Sequence, residues 1–189
     1  MDLSDARVLI TGASRGIGLE IARLLKAKGA TIIGTARSEA SLEAAVAELD
    51  MIPIVGDLSD PAVTDRIIPE ALESGPIDVL INNAGIEIVG QVAEQAPDEL
   101  RSVIDVNLAV PIILARHVLP HMLDRGRGRI VNISSMASVV NTPGWSTYSA
   151  SKAGLSSFSR SLRSELAGTG VGVTVVEVGF VQTDMLDDL

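Results

Sequence analysis

The chain has a single tyrosine, Tyr148, followed four residues later by a lysine in the run Tyr148-Ser149-Ala150-Ser151-Lys152. Lysine is scarce in this sequence; Lys26, Lys28 and Lys152 are its only three. Positions i and i+4 share one face of a helix, so the pair sets an ammonium beside a phenol. A free phenol ionises near pH ~10 and is poorly matched to proton transfer at neutral pH. A neighbouring positive charge favours its anion and narrows that gap. The chemistry such a pair suits is proton donation to, or removal from, an oxygen whose charge changes during reaction. Ser135, thirteen residues before the tyrosine, adds a hydroxyl able to hydrogen-bond the same oxygen. Ser134 has the same chemistry but the opposite strand parity, and the spacing favours Ser135.

Positioning these groups requires a frame, and the chain alternates short β-branched runs with longer helical patterns. Arg7–Thr11, Thr31–Thr35, Ile52–Val55, Val79–Ile81, Arg129–Ile133 and Val171–Val178 read as strands. Several are apolar throughout, as strands covered on both faces are. Helices are expected over Ile17–Lys28, Glu39–Leu49, Ala62–Glu73, Asp98–Leu123 and Thr147–Ala167, with Gly29 and Gly126 as C-caps. Such alternation implies an α/β chain with a parallel sheet and helices on both sides, in one domain over residues 1–189.

A glycine-rich turn, Thr11-Gly12-Ala13-Ser14-Arg15-Gly16-Ile17-Gly18, joins the first strand to the first helix. Glycines at 12, 16 and 18 permit a tight turn, close approach of backbone to a pyrophosphate, and close helix–strand packing. The helix start then offers its N–H groups to an anion. Near the end of the second strand, an acidic residue would hold a ribose diol and favour NAD, whereas an arginine suits a 2′-phosphate. Ala36 occupies the likely acidic position, Arg37 follows it, and Arg15 adds a second guanidinium. NADP(H) is therefore the expected cofactor, with NAD(H) possible.

These residues resemble those of the short-chain dehydrogenases/reductases, and the resemblance runs over nearly the whole chain. Thr11–Gly18 is similar to that family's cofactor turn, Asn82-Asn83-Ala84-Gly85 to its fourth-strand motif, and Asn107, Ser135, Tyr148 and Lys152 to its catalytic tetrad. The resemblance implies a Rossmann-like, doubly wound parallel sheet in three layers α/β/α, with strand order 3-2-1-4-5-6 plus a seventh strand, and hydride transfer between nicotinamide C4 and a carbonyl or secondary alcohol. It implies that Gly12, Ser14, Arg15, Gly16, Ile17, Gly18 and Arg37 bind the cofactor, with Asp57 and Leu58 at the adenine. Asn83, Ala84 and Gly85 would lie beside the adenosine ribose, and Tyr148 and Lys152 at the nicotinamide end. Val181 and Thr183 would hold the carboxamide, in a segment where Val178 replaces the family's usual proline. Members usually continue well past Leu189, so six of seven strands are expected, without the segment that covers substrate. Asn107 sits four residues before Pro111, which cannot donate the helical hydrogen bond to its carbonyl. The expectation is that this carbonyl anchors a water relay to Lys152.

A substrate pocket is expected from Glu87, Ile88, Met136, Val140, Asn141, Pro143, Trp145 and Phe180. Mostly apolar, it suits a modestly hydrophobic small-molecule carbonyl or alcohol; fatty-acyl, steroid, sugar and polyketide compounds all qualify. Two other readings are a dinucleotide-binding regulator without turnover, which would be expected to lose Tyr148 or Lys152, and an NAD-dependent alcohol dehydrogenase, against which Arg15 and Arg37 argue. The net charge of −9 opposes nucleic-acid binding. With no cysteine there is no disulfide framework or zinc–thiolate site, and His117 and His121 lack a third ligand, so no metal is expected. The chain is 47% hydrophobic but has no uninterrupted run of the length a membrane span needs. Its N-terminus lacks a signal-peptide pattern. A cytoplasmic homodimer or homotetramer, paired through the fourth and fifth helices, is expected.

Overall fold

The computed structural model describes residues 3–179. Six parallel strands form one sheet in the order β3-β2-β1-β4-β5-β6. They are β1 (Arg7–Thr11), β2 (Thr31–Ala36), β3 (Ile52–Val55), β4 (Val79–Asn82), β5 (Gly128–Ser135) and β6 (Val171–Val178). Between them run α1 (Gly16–Lys26), α2 (Glu39–Leu49), α3 (Pro61–Glu73), α4 (Pro97–Ile104), α5 (Val110–Asp124) and α6 (Ser146–Glu165). The strand order reverses between β1 and β4, and a crevice opens there at the carboxyl ends of the strands.

Side-chain alternation along the strands divides the core in two. Val8 and Ile10 of β1 pack on one face with Ile32, Ala22 of α1, and Leu42, Ala45 and Leu49 of α2. Leu9 points the other way, with Ile33, Leu80 and Ile130, against α3, α5 and α6. Close packing on the first face needs glycine at 18. A Cβ there would lie 2.1 Å from the Gly12 carbonyl oxygen, a distance no side chain tolerates.

The expected single helix over Asp98–Leu123 differs in its middle. Asp105–Ala109 forms a turn of π-helix between α4 and α5, and the Val110 N–H donates to the Asp105 carbonyl five residues back. One extra residue in the turn swings Asn107 inward, where it is fully buried. In the ordinary helical register Pro111 stands opposite the Asn107 carbonyl; in the widened register it stands opposite Val106. The segment Pro97–Asp124 is long and apolar enough to cross a membrane. Here Val110, Leu114, Ala115, Val118 and Met122 are instead buried against the sheet.

Candidate active site

A cleft of about 690 Å³ runs along the carboxyl edge of the sheet. At one end it is lined by the β1–α1 turn: Gly12, Ser14, Arg15, Gly16 and Ile17. Gly12 and Gly16 have φ of +67° and +55°, which glycine alone adopts without strain. A Cβ on Gly12 would come within 3.1 Å of the Ala84 backbone. Helix α1 has no acidic residue in its first turn, so its N-terminus keeps a full positive end. Gly18 lies beneath the turn and does not line the cleft; it acts through packing.

Beyond the turn, the cleft is lined by Arg37 just after β2 and by Asp57 and Leu58 of the β3–α3 loop, together with Ser41 of α2 and Ser59, neither of which was expected from the sequence. The Ser59 N–H and hydroxyl donate to Asp57 at 2.9 and 2.8 Å. These bonds, the backbone one first, and the nearby Arg37 charge hold the Asp57 carboxyl below its ordinary range against the opposing effect of burial. Asn83, Ala84 and Gly85 line the centre. The Asn83 amide donates to the carbonyls of Thr11 (3.0 Å) and Gly12 (3.1 Å), tying the end of β4 to the turn.

The other end is built of side chains. Ser135 ends β5, while Tyr148 and Lys152 share a face of α6, and all three line the cleft. The Lys152 ammonium lies 5.7 Å from the Tyr148 ring centre and donates to the Ile133 carbonyl at 3.0 Å. Burial pushes its pKa from 10.5 down to about 8, with the Glu87 charge resisting. Tyr148 is held above its ordinary value, first by burial; a hydrogen bond with Ser135 pulls it down and the Glu87 charge pushes it up. Trp145 meets the Tyr148 ring edge-on, with 5.7 Å between centres.

Asn107 does not touch the cleft. Its amide clamps the backbone of Ile86, accepting from the N–H and donating to the carbonyl at 2.8 Å each, and donates to Ser151 at 3.1 Å. Ser134 is a framework residue, donating to the Lys152 carbonyl at 3.0 Å and bonded to Ser156 at 2.8 Å. Of the expected pocket residues, Glu87, Met136, Val140 and Trp145 line the cleft, whereas Ile88, Asn141 and Pro143 do not. Asn141 and Pro143 face outward and Thr142 between them takes the inner position. Phe180, Val181 and Thr183 lie outside the described residues.

The residues fit a dinucleotide. A Cβ on Gly85 would lie 3.1 Å from Asn107 Oδ1 and 3.5 Å from Lys152 Nζ, filling the space before the lysine. Only the absent side chain keeps that cradle open. The family model for short chain dehydrogenase matches residues 6–189. The chain belongs to the short-chain dehydrogenase family. It is 43% identical over 195 residues to the ketoacyl reductase HetN of Nostoc sp., covering 98% of this chain and 67% of that one. It is 38% identical to the 3-oxoacyl-[acyl-carrier-protein] reductase FabG of Escherichia coli, covering 98% and 77%. Among solved structures, a metagenomic short-chain oxidoreductase in complex with NADP superposes with a TM-score of 0.90 at 36% identity, covering 96% and 85%. As a short-chain dehydrogenase, the chain is an NAD(P)-dependent oxidoreductase acting on C=O and CH–OH groups.

Proposed function

We propose that this oxidoreductase prefers NADP(H) and reduces a ketone, or oxidises the corresponding secondary alcohol, with Tyr148 as acid and base. The observation that carries this reading is the meeting of Ser135, Tyr148 and Lys152 at one end of a cleft whose other end holds Arg15 and Arg37. Gly12, Ser14, Gly16 and Ile17 would receive the pyrophosphate, Asp57 and Leu58 the adenine, and Asn83, Ala84 and Gly85 the adenosine ribose. Bound in the cleft, the cofactor supplies the hydride that the carbonyl carbon accepts. Tyr148 gives its proton to the carbonyl oxygen as charge develops there, and Ser135 donates a hydrogen bond to the same atom. Lys152 holds the nicotinamide ribose and favours the phenolate left behind. Asn107 serves from behind, fixing Ile86 through its side chain and anchoring a water relay toward Lys152 through its carbonyl. Alcohol oxidation runs the same transfers in reverse.

The chain would act as one nucleotide-binding domain, cytoplasmic and homo-oligomeric, on a modestly hydrophobic substrate. The names of the relatives, ketoacyl and 3-oxoacyl reductases, support ketone reduction. The exposed Met136 and Val140 at the rim support an apolar neighbour for the reacting group. Titrating NADPH and NADH against the fluorescence of Trp145, the only tryptophan, tests the reading. NADPH is expected to quench at least about tenfold more tightly, and Arg37→Asp to reverse that order. Equal affinity for both would remove the assigned roles of Arg15 and Arg37.

A further inference from the structure

Immediately after Ser135 the cleft opens onto an apolar rim. Ser135 caps the short 3₁₀ turn Met136–Ser138, its hydroxyl oxygen accepting from the Ala137 N–H at 3.1 Å. The chain then folds back, and the N–H groups of Val139 and Val140 both donate to the Met136 carbonyl, at 3.0 and 2.9 Å. Met136, Val139 and Val140 are thereby gathered beside the serine, and they are 41%, 63% and 49% exposed. The loop between β4 and α4 reaches the same mouth. Its Gly90 N–H donates to the Gly144 carbonyl at 3.0 Å, and a Cβ on Gly144 would lie 3.4 Å from Val89, itself 40% exposed. Gly144 leads into Trp145, whose ring stands against Tyr148. Folded proteins rarely gather exposed apolar side chains in one place unless something covers them.

We infer that this rim carries the alkyl chain of the substrate, which makes the substrate class an uncharged aliphatic ketone or, in reverse, the matching secondary alcohol. This rests on the proposed reading of the site as a ketone reductase. Met136 and Val140 line the cleft as well as being exposed, so the rim is continuous with the site rather than set apart as a surface for another protein. A carbonyl held by Ser135 and Tyr148 has the nucleotide on the side of the glycine turn, which leaves the rim as the way out for the chain it carries. The charge pattern selects an uncharged chain. From Met136 to Ser151 the sequence has no charged residue, and from Ile86 to Leu100 its charged residues are Glu87, Glu94, Asp98 and Glu99. The first cation beyond, Arg101, is paired with Asp98 at 2.6 Å. Neither segment offers a partner to a carboxylate or phosphate at the far end of the chain, and the acidic residues would repel it.

The test measures kcat/KM of the full chain with NADPH for 2-butanone, 2-hexanone and 2-octanone, and for 7-oxooctanoate, which matches 2-octanone in length but ends in a carboxylate. A methylene laid on a half-exposed apolar surface gains about half of what full burial gives, so kcat/KM should rise about twofold per methylene and about tenfold or more from 2-butanone to 2-octanone. 2-Octanone should exceed 7-oxooctanoate by about tenfold. Val139→Asp places a charge on the rim and should lower the ratio of 2-octanone to 2-butanone by about threefold or more. Leu24→Asp, on α1 and equally exposed at 64%, should leave that ratio as in wild type. Trp145 quenching by NADPH reports that each variant is folded. Rates that do not rise with chain length, a rise that is undiminished in Val139→Asp, or reduction of 7-oxooctanoate as fast as 2-octanone overturns the inference and leaves the reductase reading standing. Reduction of no ketone, with NADPH bound, overturns both.

Discussion

The two ends of the cleft are made by different means. At the nucleotide end, β1, β2 and α1 offer backbone and shape, and the core behind them is Val8, Ile10, Ile32 and Ala22. At the chemical end, β4, β5 and α6 are joined by buried polar side chains. Asn82 donates to Asn132 at 2.7 Å, Asn132 to Ser159 at 2.8 Å, and Ser134 and Ser156 join below Lys152. Binding a pyrophosphate needs only N–H groups and room, which glycines provide without side chains. Moving a proton needs particular atoms held at particular places, and directional hydrogen bonds between buried side chains hold them more uniquely than apolar packing does. The first end is therefore vulnerable to added atoms and the second to altered ones.

The largest effect belongs to the chemical end. Tyr148→Phe removes one oxygen and keeps the ring against Trp145. Turnover is expected to fall by about 10²–10⁴-fold, the span of general acid–base catalysis, with NADPH affinity little changed. Steady-state rates alongside fluorescence titration check this. A variant that keeps a tenth of the wild-type rate would mean that the proton comes from elsewhere.

Lys152 sharpens the comparison by showing what altered atoms cost. Its folded pKa of about 8 lies below the ordinary lysine value of 10.5. Between those two pH values the unfolded chain keeps a proton that the folded one has lost, so stability rises with pH across the window. Below about pH 8 the buried charge carries its full cost, about 3 kcal/mol. Lys152→Met should therefore abolish turnover yet be more stable than wild type at pH 7, by at most about 3 kcal/mol since the bond to the Ile133 carbonyl is lost. The gain should shrink toward pH 10.5. Denaturant midpoints across that range decide it; a gain that stays constant with pH would have another origin.

The nucleotide end breaks through the opposite operation. Gly18→Ala adds one carbon where a Cβ would meet the Gly12 carbonyl oxygen at 2.1 Å. Backbone must shift, at a cost of about 1–3 kcal/mol, and the turn that receives the pyrophosphate moves with it. NADPH affinity should drop about tenfold or more, with Ser135, Tyr148 and Lys152 still in place. Calorimetry on the purified variant would show this, and an unaltered Kd would mean that the turn tolerates displacement.

The same contrast explains what was legible in the sequence. The nucleotide end was readable because glycine spacing directly encodes backbone shape: β1, the turn and β2 fall within a residue or so of expectation. Tyr148, Lys152 and Ser135 were readable because their chemistry is rare and their spacing local. The network behind them was not. Lys152, Leu155, Ser156 and Ser159 fall on one helical stripe at i, i+3, i+4 and i+7, and that stripe faces the sheet. Serines and a lysine on it defeat an argument from apolar periodicity, because their burial is decided by Asn132 and Ser134 on β5. Glu87 could be assigned to the pocket from sequence, but its charge near Lys152 appears only once β4 and α6 are brought together. The π turn left one trace, an asparagine shortly before a proline in a helical run.

That trace supports the smallest prediction, and it joins the two ends. Pro111→Ala restores one N–H to a helix whose register is widened at Asp105–Ala109. The restored donor can close on the Asn107 carbonyl in the ordinary register, drawing the turn back toward α-helix and rotating the Asn107 amide away from Ile86. Cofactor affinity depends mainly on the glycine turn and the arginines, so it should hardly change. Turnover depends on the proton path to Lys152 and on the loop that Asn107 clamps, so kcat should fall about two- to tenfold, with KM changed less. A solvent isotope effect larger than that of wild type would place the loss in proton delivery. An unchanged kcat would show that the π turn serves packing alone and that the Asn107 carbonyl carries no relay.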